Sequence, residues 1–263
     1  MDRQIESVMA AITALPQGQR LLLFLDYDGT LVEIAPRPEL ATPSPELLEL
    51  LARLAARPGW AVVVVSGRPL QDLLALLPVP GLNYLGSHGG EGLIQGQPGT
   101  PQDLVTDPAE LEELKRQARE SLKGLSGWWL EDKPLGFALH YRQASASEEA
   151  GLLAALTPWL AQVARQGKYQ ILWGKKVVEI LPVMVNKGAA IQTISAYPGF
   201  SQYLPLYLGD DYTDESVFQV LAARGLTIKV GRSSGVTAAA VSLPQPAVVR
   251  EFLARLAHHR EER

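Results

Sequence analysis

Asp26 and Asp28 stand one residue apart at the end of an apolar run in LLLFLDYDGTL (21–31). Two like charges at that spacing repel, and by themselves they read as a turn, since Asp and Gly are common turn residues. Other apolar runs end in the same way: WAVVVV in Ser66-Gly67-Arg68, NYLG in Ser87-His88-Gly89-Gly90, and LPLYL in Gly209-Asp210-Asp211. In an open parallel sheet, ligands bind outside the carboxyl ends of the strands. A fold that gathers these ends therefore gathers several acidic groups, and a divalent cation among them would relieve the repulsion. Oxygen donors, with little His nearby and no Cys in the chain, suit Mg2+. That ion takes one or two carboxylates and completes its octahedron with water and phosphate oxygens.

Such a site implies phosphoryl chemistry. A carboxylate can attack phosphorus and form an aspartyl-phosphate, dividing one difficult displacement into two easier ones. A second carboxylate two residues on can protonate the leaving alcohol and later activate water. A hydroxyl from Ser66 or Thr30 and the ammonium of a lysine would hold the phosphoryl oxygens and offset charge in the transition state. Asn186-Lys187-Gly188-Ala189 supplies that lysine where a helix opens, a place that favours anions.

These groups need elements to position them. LLLFL (21–25) and WAVVVV (60–65) are apolar at every position, the pattern of strands buried on both faces of a parallel sheet. Between them, SPELLELLARLAARPG (44–59) offers Ser44 as N-cap, Pro45 at the first helical position and Pro58-Gly59 as the stop. PLQDLLALLP (69–78) reads as a second helix, and NYLGSHGG (83–90), QYLPLYLGDD (202–211) and LTIKVG (226–231) as further strands. Strands alternating with helices predict an α/β fold, a Rossmann-like, doubly wound parallel sheet. The middle of the chain reads differently: a charged helix (108–124), strands at 127–132 and 135–142, a helix (145–167), and strands at 168–173 and 177–182. Helix, hairpin, helix, hairpin is an α+β pattern with an antiparallel sheet. The expected organisation is a core of residues 1–103 plus 184–263, interrupted by an inserted α+β domain over 104–183, with QGQPGTPQD (95–103) as linker.

Composition bounds the partners. The 263 residues are 47% hydrophobic and 20% charged, with 24 Lys and Arg against 28 Asp and Glu, which argues against a broad cationic surface for nucleic acid. No apolar run approaches the ~18 residues of a membrane span. MDRQIESVMAAITAL carries Asp2, Arg3 and Glu6 and reads as an amphipathic helix rather than a signal peptide. The expectation is a soluble cytoplasmic protein with a small-molecule partner. Nothing in the composition demands an oligomer, and a monomer fits.

In order along the chain, DYDGT, SGR, NKGAA and GDDYTDE resemble the motifs of the haloacid dehalogenase (HAD) superfamily of phosphohydrolases, with a cap domain inserted between the second and third. The resemblance implies Asp26 as nucleophile and Mg2+ ligand, and Asp28 as general acid/base and as ligand through its backbone carbonyl. It places Ser66 and Lys187 on the phosphoryl group, Asp210 as the third protein ligand, and Asp214 in support of the metal, with Asp211 in the same group. Thr30, Arg68 and His88 are the remaining strand-end candidates for holding substrate. GSHGGE (86–91), LEDKPLGFALHYR (130–142), GKKVVEILP (174–182) and GDDYTDESVF (209–218) narrow the resemblance to trehalose-6-phosphate phosphatases. On that likeness Glu131, Lys133, His140, Arg142, Lys176 and Glu179 hold the disaccharide of a sugar-phosphate substrate, through carboxylates and forked cationic donors. Asn186 stands where the family more often has an acidic residue before Lys187. The competing functions are a phosphatase for another glycosyl phosphate, such as sucrose 6-phosphate or a glycosylglycerate phosphate, and a non-catalytic sugar-phosphate sensor.

Each candidate also has a plainer role open to it. Ser66 could cap the helix that starts at Pro69, and His88 could merely satisfy backbone groups in its glycine-rich loop. Glu131 and Lys133 could form a surface ion pair worth little. His140 and Arg142 alternate along one strand and share a face. Trp128 and Trp129 read as packing residues in preference to a sugar-stacking platform.

Overall fold

The computed structural model describes residues 2–13, 16, 18–99, 107–231 and 236–259. Residues 100–103 of the expected linker, and the first residues of the expected insertion, 104–106, lie outside the described residues. The chain forms two compact units: Met1–Pro101 with Asn186–Arg263, and Gln102–Val185.

The larger unit begins with α1 (Asp2–Thr13), β1 (Leu21–Asp26), α2 (Pro45–Ala55), β2 (Trp60–Val65), α3 (Leu70–Leu76), β3 (Asn83–Gly86), β4 (Glu91–Ile94) and β5 (Gln97–Gly99). The smaller unit holds α4 (Pro108–Ser121), β6 (Trp129–Lys133), β7 (Gly136–His140), α5 (Ala146–Arg165), β8 (Tyr169–Gly174) and β9 (Val177–Pro182). The chain then returns to the larger unit with α6 (Lys187–Ser195), β10 (Leu204–Gly209), α7 (Glu215–Leu221), β11 (Leu226–Val230), β12 (Val241–Leu243) and α8 (Pro246–His259).

In the larger unit the strand order is β12-β11-β10-β1-β2-β3-β4-β5. It is parallel from β12 to β3, and β4 and β5 add an antiparallel edge. The all-apolar strands are explained by two-sided burial. Leu21, Leu23 and Leu25 of β1 join one core with α1, α2 and α8, while Leu22 and Phe24 join another with α6 and α7. Helix α2 starts as its sequence dictates, with the Ser44 side chain accepting from the Leu47 N–H and Pro45 in the first turn.

Two strand expectations and one linker expectation change. The run expected as a strand over 83–90 is extended only to Gly86, because Ser87, His88 and Gly89 take φ of 48°, 56° and 93°. Residues 97–99, expected as linker, pair with β4 through backbone bonds that Gly and Pro allow at an edge. In the smaller unit the strand expected over 135–142 ends at His140, and Tyr141 turns the chain by accepting the Ala144 N–H.

The smaller unit is an antiparallel sheet, β6-β7-β9-β8. Its apolar face carries Phe137, Leu139, Val178 and Ile180 against α4 and α5. Period-two alternation then sends Glu131, Ala138, His140 and Glu179 to the opposite face. Among the described residues, no helix is long and apolar enough to cross a membrane.

Candidate active site

Asp26 is the last residue of β1, level with Val65 of β2. On the other side Leu25 is level with Leu208 of β10, which puts Asp210 just beyond the neighbouring strand end. The loop between Asp26 and Thr30 can run this close because residue 29 is glycine. Gly29 has a φ of +83°, and a Cβ there would lie 2.1 Å from Asp210 Oδ2. Gly209 has a similar duty: a Cβ on it would meet Asp214 Oδ2 at 2.4 Å. Asp26, Asp210 and Asp214 each offer a carboxylate oxygen, and the three oxygens lie within 4.8 Å of one another.

Lys187, the first residue of α6, is buried and donates from Nζ to Asp26 Oδ1 and Asp214 Oδ1, each at 2.8 Å. Asn186 caps the helix by accepting the Ala189 N–H at 3.1 Å, so the residue that departs from the family pattern has a local task here. Asp214 is further held by the Tyr207 hydroxyl at 2.6 Å on Oδ1 and by the Asp211 N–H at 2.8 Å on Oδ2. Tyr207 was not anticipated from the sequence. Its one signal is a hydroxyl-bearing side chain in an otherwise apolar strand, LPLYLG.

The electrostatics follow from this burial. Desolvation pushes the Asp26 carboxyl well above the usual carboxylate range, more than Lys187 draws it down, and the charges of Asp214 and Asp210 push the same way. Burial works against charge on Asp214 too, but Lys187, Tyr207 and the Asp211 N–H outweigh it and hold Asp214 below the usual range. Burial likewise opposes charge on Lys187, but Asp214 and Asp26 outweigh it and keep the ammonium protonated. Asp26 and Asp214 share Lys187, and Asp210 brings a third carboxylate to the same cluster. Among the described residues, Asp26 Oδ2 and Thr30 Oγ1 are buried with no hydrogen-bond partner. An oxygen-only donor set of three carboxylates and an open carboxylate oxygen fit a hard divalent cation.

Asp28 lies at the rim. Arg68 grips it with two parallel bonds, Nε to Oδ2 and Nη2 to Oδ1, both at 2.7 Å, and Arg68 Nη2 also donates to the Pro38 carbonyl at 2.7 Å. The guanidinium lies 5.2 Å from the centre of the Tyr27 ring. Arg68 is therefore joined to an acidic site residue. Ser66 is buried at the end of β2, and its Oγ accepts the Arg68 N–H at 3.1 Å, whereas α3 begins at Leu70 with no side-chain cap. His88 braces this loop: its N–H donates to the Ser66 carbonyl at 2.9 Å and the Ser87 N–H to the Arg68 carbonyl at 2.7 Å. Gly67 makes room for the imidazole, since a Cβ there would lie 2.6 Å from His88 Nε2. Glu91 completes the brace by accepting from the Ser87 hydroxyl and the Leu70 N–H.

In the smaller unit, four of the six sequence candidates come together on the polar face of the sheet. Glu131 and Glu179 flank Ala138 on the two neighbouring strands. His140 Nε2 bonds Glu131 Oε2 at 2.7 Å. Lys133 reaches across the small residues of β7 to Glu179, so its ion pair is with that residue and not with Glu131. Desolvation opposes charge on Glu131, but His140 and Lys133 outweigh it and hold the carboxyl below the usual range. Arg142 and Lys176 sit at the end of the sheet. Arg142 lies in the turn after β7 and donates to the Lys175 carbonyl at 3.0 Å, and Lys176, with a φ of +64° in the β8–β9 turn, pairs with Glu149 of α5.

Residues 24–245 match the trehalose-phosphatase family. A trehalose-phosphate phosphatase of Mycobacterium tuberculosis is 34% identical over 276 aligned residues, spanning 99% of this chain and 68% of that protein. Trehalose 6-phosphate phosphatase RA3 of Zea mays is 31% identical, over 99% and 75%. Among solved structures, the C-terminal domain of C. albicans trehalose-6-phosphate phosphatase superposes with a TM-score of 0.82 at 25% identity, covering 91% of this chain and 92% of that one. A haloacid dehalogenase-like hydrolase from Bacteroides thetaiotaomicron shares the fold, with a TM-score of 0.64 at 17% identity and coverage of 90% and 100%.

Proposed function

We propose that this chain, which belongs to the trehalose-phosphatase family and is a phosphoric monoester hydrolase, hydrolyses trehalose 6-phosphate to trehalose and inorganic phosphate through an aspartyl-phosphate on Asp26. The observation that carries this reading is the state of Asp26: one oxygen is held by buried Lys187, and the other is buried without a partner beside two further carboxylates.

The chemistry divides between residues. One carboxylate oxygen of Asp26 attacks phosphorus, and the bond from phosphorus to the sugar oxygen breaks. With Arg68 moved off it and the carboxyl protonated, Asp28 gives that proton to the leaving sugar oxygen; water then attacks phosphorus, its proton passes to Asp28, and the bond from phosphorus to Asp26 breaks to release inorganic phosphate. Lys187 and the Ser66 hydroxyl hold the phosphoryl oxygens, and the Thr30 hydroxyl is a further donor to them. Asp26, Asp210 and the Asp28 carbonyl would hold Mg2+, with Asp214, its oxygens already taken by Lys187, Tyr207 and Asp211, steadying the group. Bound there, the ion would neutralise charge on the phosphoryl oxygens. Arg68 and His88 shape the strand-end loops in which substrate is held. On the smaller unit, Glu131, Lys133, His140 and Glu179, with Arg142 and Lys176, bind sugar hydroxyls.

The test is phosphate release from trehalose 6-phosphate, sucrose 6-phosphate and glucose 6-phosphate, before and after removal and return of Mg2+. The expected result is a kcat/KM at least tenfold higher for trehalose 6-phosphate and activity that returns with Mg2+. A preference for either other sugar phosphate overturns the substrate, and full activity after exhaustive metal removal overturns the cation.

A further inference from the structure

We infer that Trp129 is a specificity-determining residue whose indole, laid flat on His140, offers an aromatic surface to a pyranose ring of the substrate. The inference rests on the substrate class proposed above and adds to it a contact of a different chemical kind.

Trp129 opens β6, an edge strand, and is the residue directly opposite His140 on β7. The two rings are stacked, with centroids 4.1 Å apart and planes 7° from parallel. His140 is itself fixed by its bond to Glu131, so a chain of contacts runs from a carboxylate to an imidazole to an indole and sets the plane of each ring. By alternation, Trp129 shares its face with Glu131 and Lys133, away from the helices.

Packing does not explain a tryptophan here. Trp159 of α5 is buried in the apolar cluster against the helix-covered face of the sheet. Trp128, the neighbour of Trp129, packs against that cluster and donates from Nε1 to the Leu125 carbonyl at 3.1 Å. Trp129 goes the other way and stays 40% exposed. Apolar stabilisation scales with area removed from water, so this placement gives up much of what the largest side chain can contribute to folding. On this face the row of Trp129 continues through His140 to Val177, and the next row holds Glu131 and Glu179 with Ala138 as a small floor between them.

A pyranose has two kinds of surface. Its edge carries hydroxyls, which carboxylates and ammonium groups meet, and its faces carry C–H groups, which a flat aromatic ring meets. Glu131, Lys133, His140 and Glu179 can satisfy edges only. Trp129 is the flat apolar group of the same sheet face, and binding sites that combine a few placed polar groups with an aromatic wall use both kinds of contact at once. A phosphate ester without a sugar has no use for it.

The experiment compares the native chain with Trp129→Ala, Trp129→Phe and Trp129→Leu on trehalose 6-phosphate and on p-nitrophenyl phosphate. Aromatic contacts of this type correspond to roughly a 3- to 10-fold change in binding. The Ala and Leu variants are expected to raise KM for trehalose 6-phosphate by that factor, with kcat and the kcat/KM for p-nitrophenyl phosphate within about twofold of native. Phe, which keeps a flat ring, should remain close to native. If Ala does not fold, the Leu and Phe pair decides. An unchanged KM in the Leu variant, an equal loss on both substrates, or a Leu variant as good as Phe overturns the sugar contact. A native chain that cleaves p-nitrophenyl phosphate and leaves trehalose 6-phosphate intact overturns the substrate reading and this inference with it. Native turnover of trehalose 6-phosphate with an indifferent Trp129→Leu overturns the sugar contact alone.

Discussion

The strand-end cluster of the larger unit and the polar sheet face of the smaller one are both built from paired charges, and they are built in opposite ways. The side chains of Asp26, Lys187 and Asp214 are 6%, 3% and 0% exposed, while Glu131 and His140 keep 26% and 17%, and Lys133 and Glu179 10% each. The first cluster is assembled from segments 161 residues apart and fixed by a backbone with no room for a Cβ at Gly29 or Gly209. The second is a ladder of neighbours on adjacent strands. Burial makes charges expensive unless each is answered, so a buried cluster has one workable arrangement. A half-open face tolerates changes of partner. The contrast fits the proposed division, with phosphoryl chemistry in the buried cluster and sugar selectivity on the more open face.

The sharpest way to break this contrast is Asp26→Asn. Turnover should fall on the order of 10⁴-fold or more, as for loss of a nucleophile. The same variant should gain stability without metal. The Asp26 carboxyl is raised above its ordinary value of 3.8 in the folded protein, so ionising it opposes folding. That penalty is absent at pH below the ordinary value, grows as pH climbs toward the folded value and is complete above it. In chelator at neutral pH, Asp26→Asn should therefore melt above the native chain, with the gap closing as the pH nears 4. A lower Tm at every pH contradicts the assignment of burial as the dominant cause.

Lys187→Ala comes next. It should lower kcat roughly 10²- to 10³-fold, as for removal of a transition-state donor. It should also cost about 3–5 kcal/mol in denaturant unfolding, because Asp26 and Asp214 lose their shared counter-charge. A stable, merely slower variant would mean that the cluster is less closed than it looks. On the other side of the comparison, Glu179→Gln should raise KM for trehalose 6-phosphate about tenfold and leave p-nitrophenyl phosphate hydrolysis unchanged, as expected for a charged hydrogen bond worth roughly 1.5 kcal/mol. Equal losses on both substrates would erase the division of labour. The smallest effect is expected from Tyr207→Phe, which removes one of several donors to Asp214. Stability should fall by about 1 kcal/mol and kcat by a few fold, read from urea unfolding and steady-state rates.

The same contrast governs how much was legible in the sequence. β1 and β2 announced themselves by apolar runs of strand length, and the acidic and hydroxyl groups that end them followed from where a parallel sheet presents its ligands. The antiparallel edge was not legible. NYLG ends in Ser87-His88-Gly89-Gly90, a polar strand end like the others, and it is the positive φ of Ser87, His88 and Gly89 that turns the chain, the first two at residues whose types do not demand such a conformation. The partners of charged groups were also out of reach. Whether Lys133 answers Glu131 or Glu179 depends on the small side chains of β7, and whether Arg68 meets substrate or Asp28 depends on loop geometry. Tyr207 was missed, and Trp129 was read with Trp128 as packing, because an aromatic residue in a strand is read that way; only the structure gives the hydroxyl of the one and the ring of the other a partner.

Covalent trapping tests the nucleophile most directly. Trehalose 6-phosphate carrying a radiolabelled phosphate is mixed with the Mg2+-loaded chain and quenched in acid during turnover, and the protein is digested. The expected result is label on the peptide containing Asp26 in the native chain and none in Asp26→Asn. Turnover without any protein-bound label, or label that persists in Asp26→Asn, would contradict an aspartyl-phosphate on that residue.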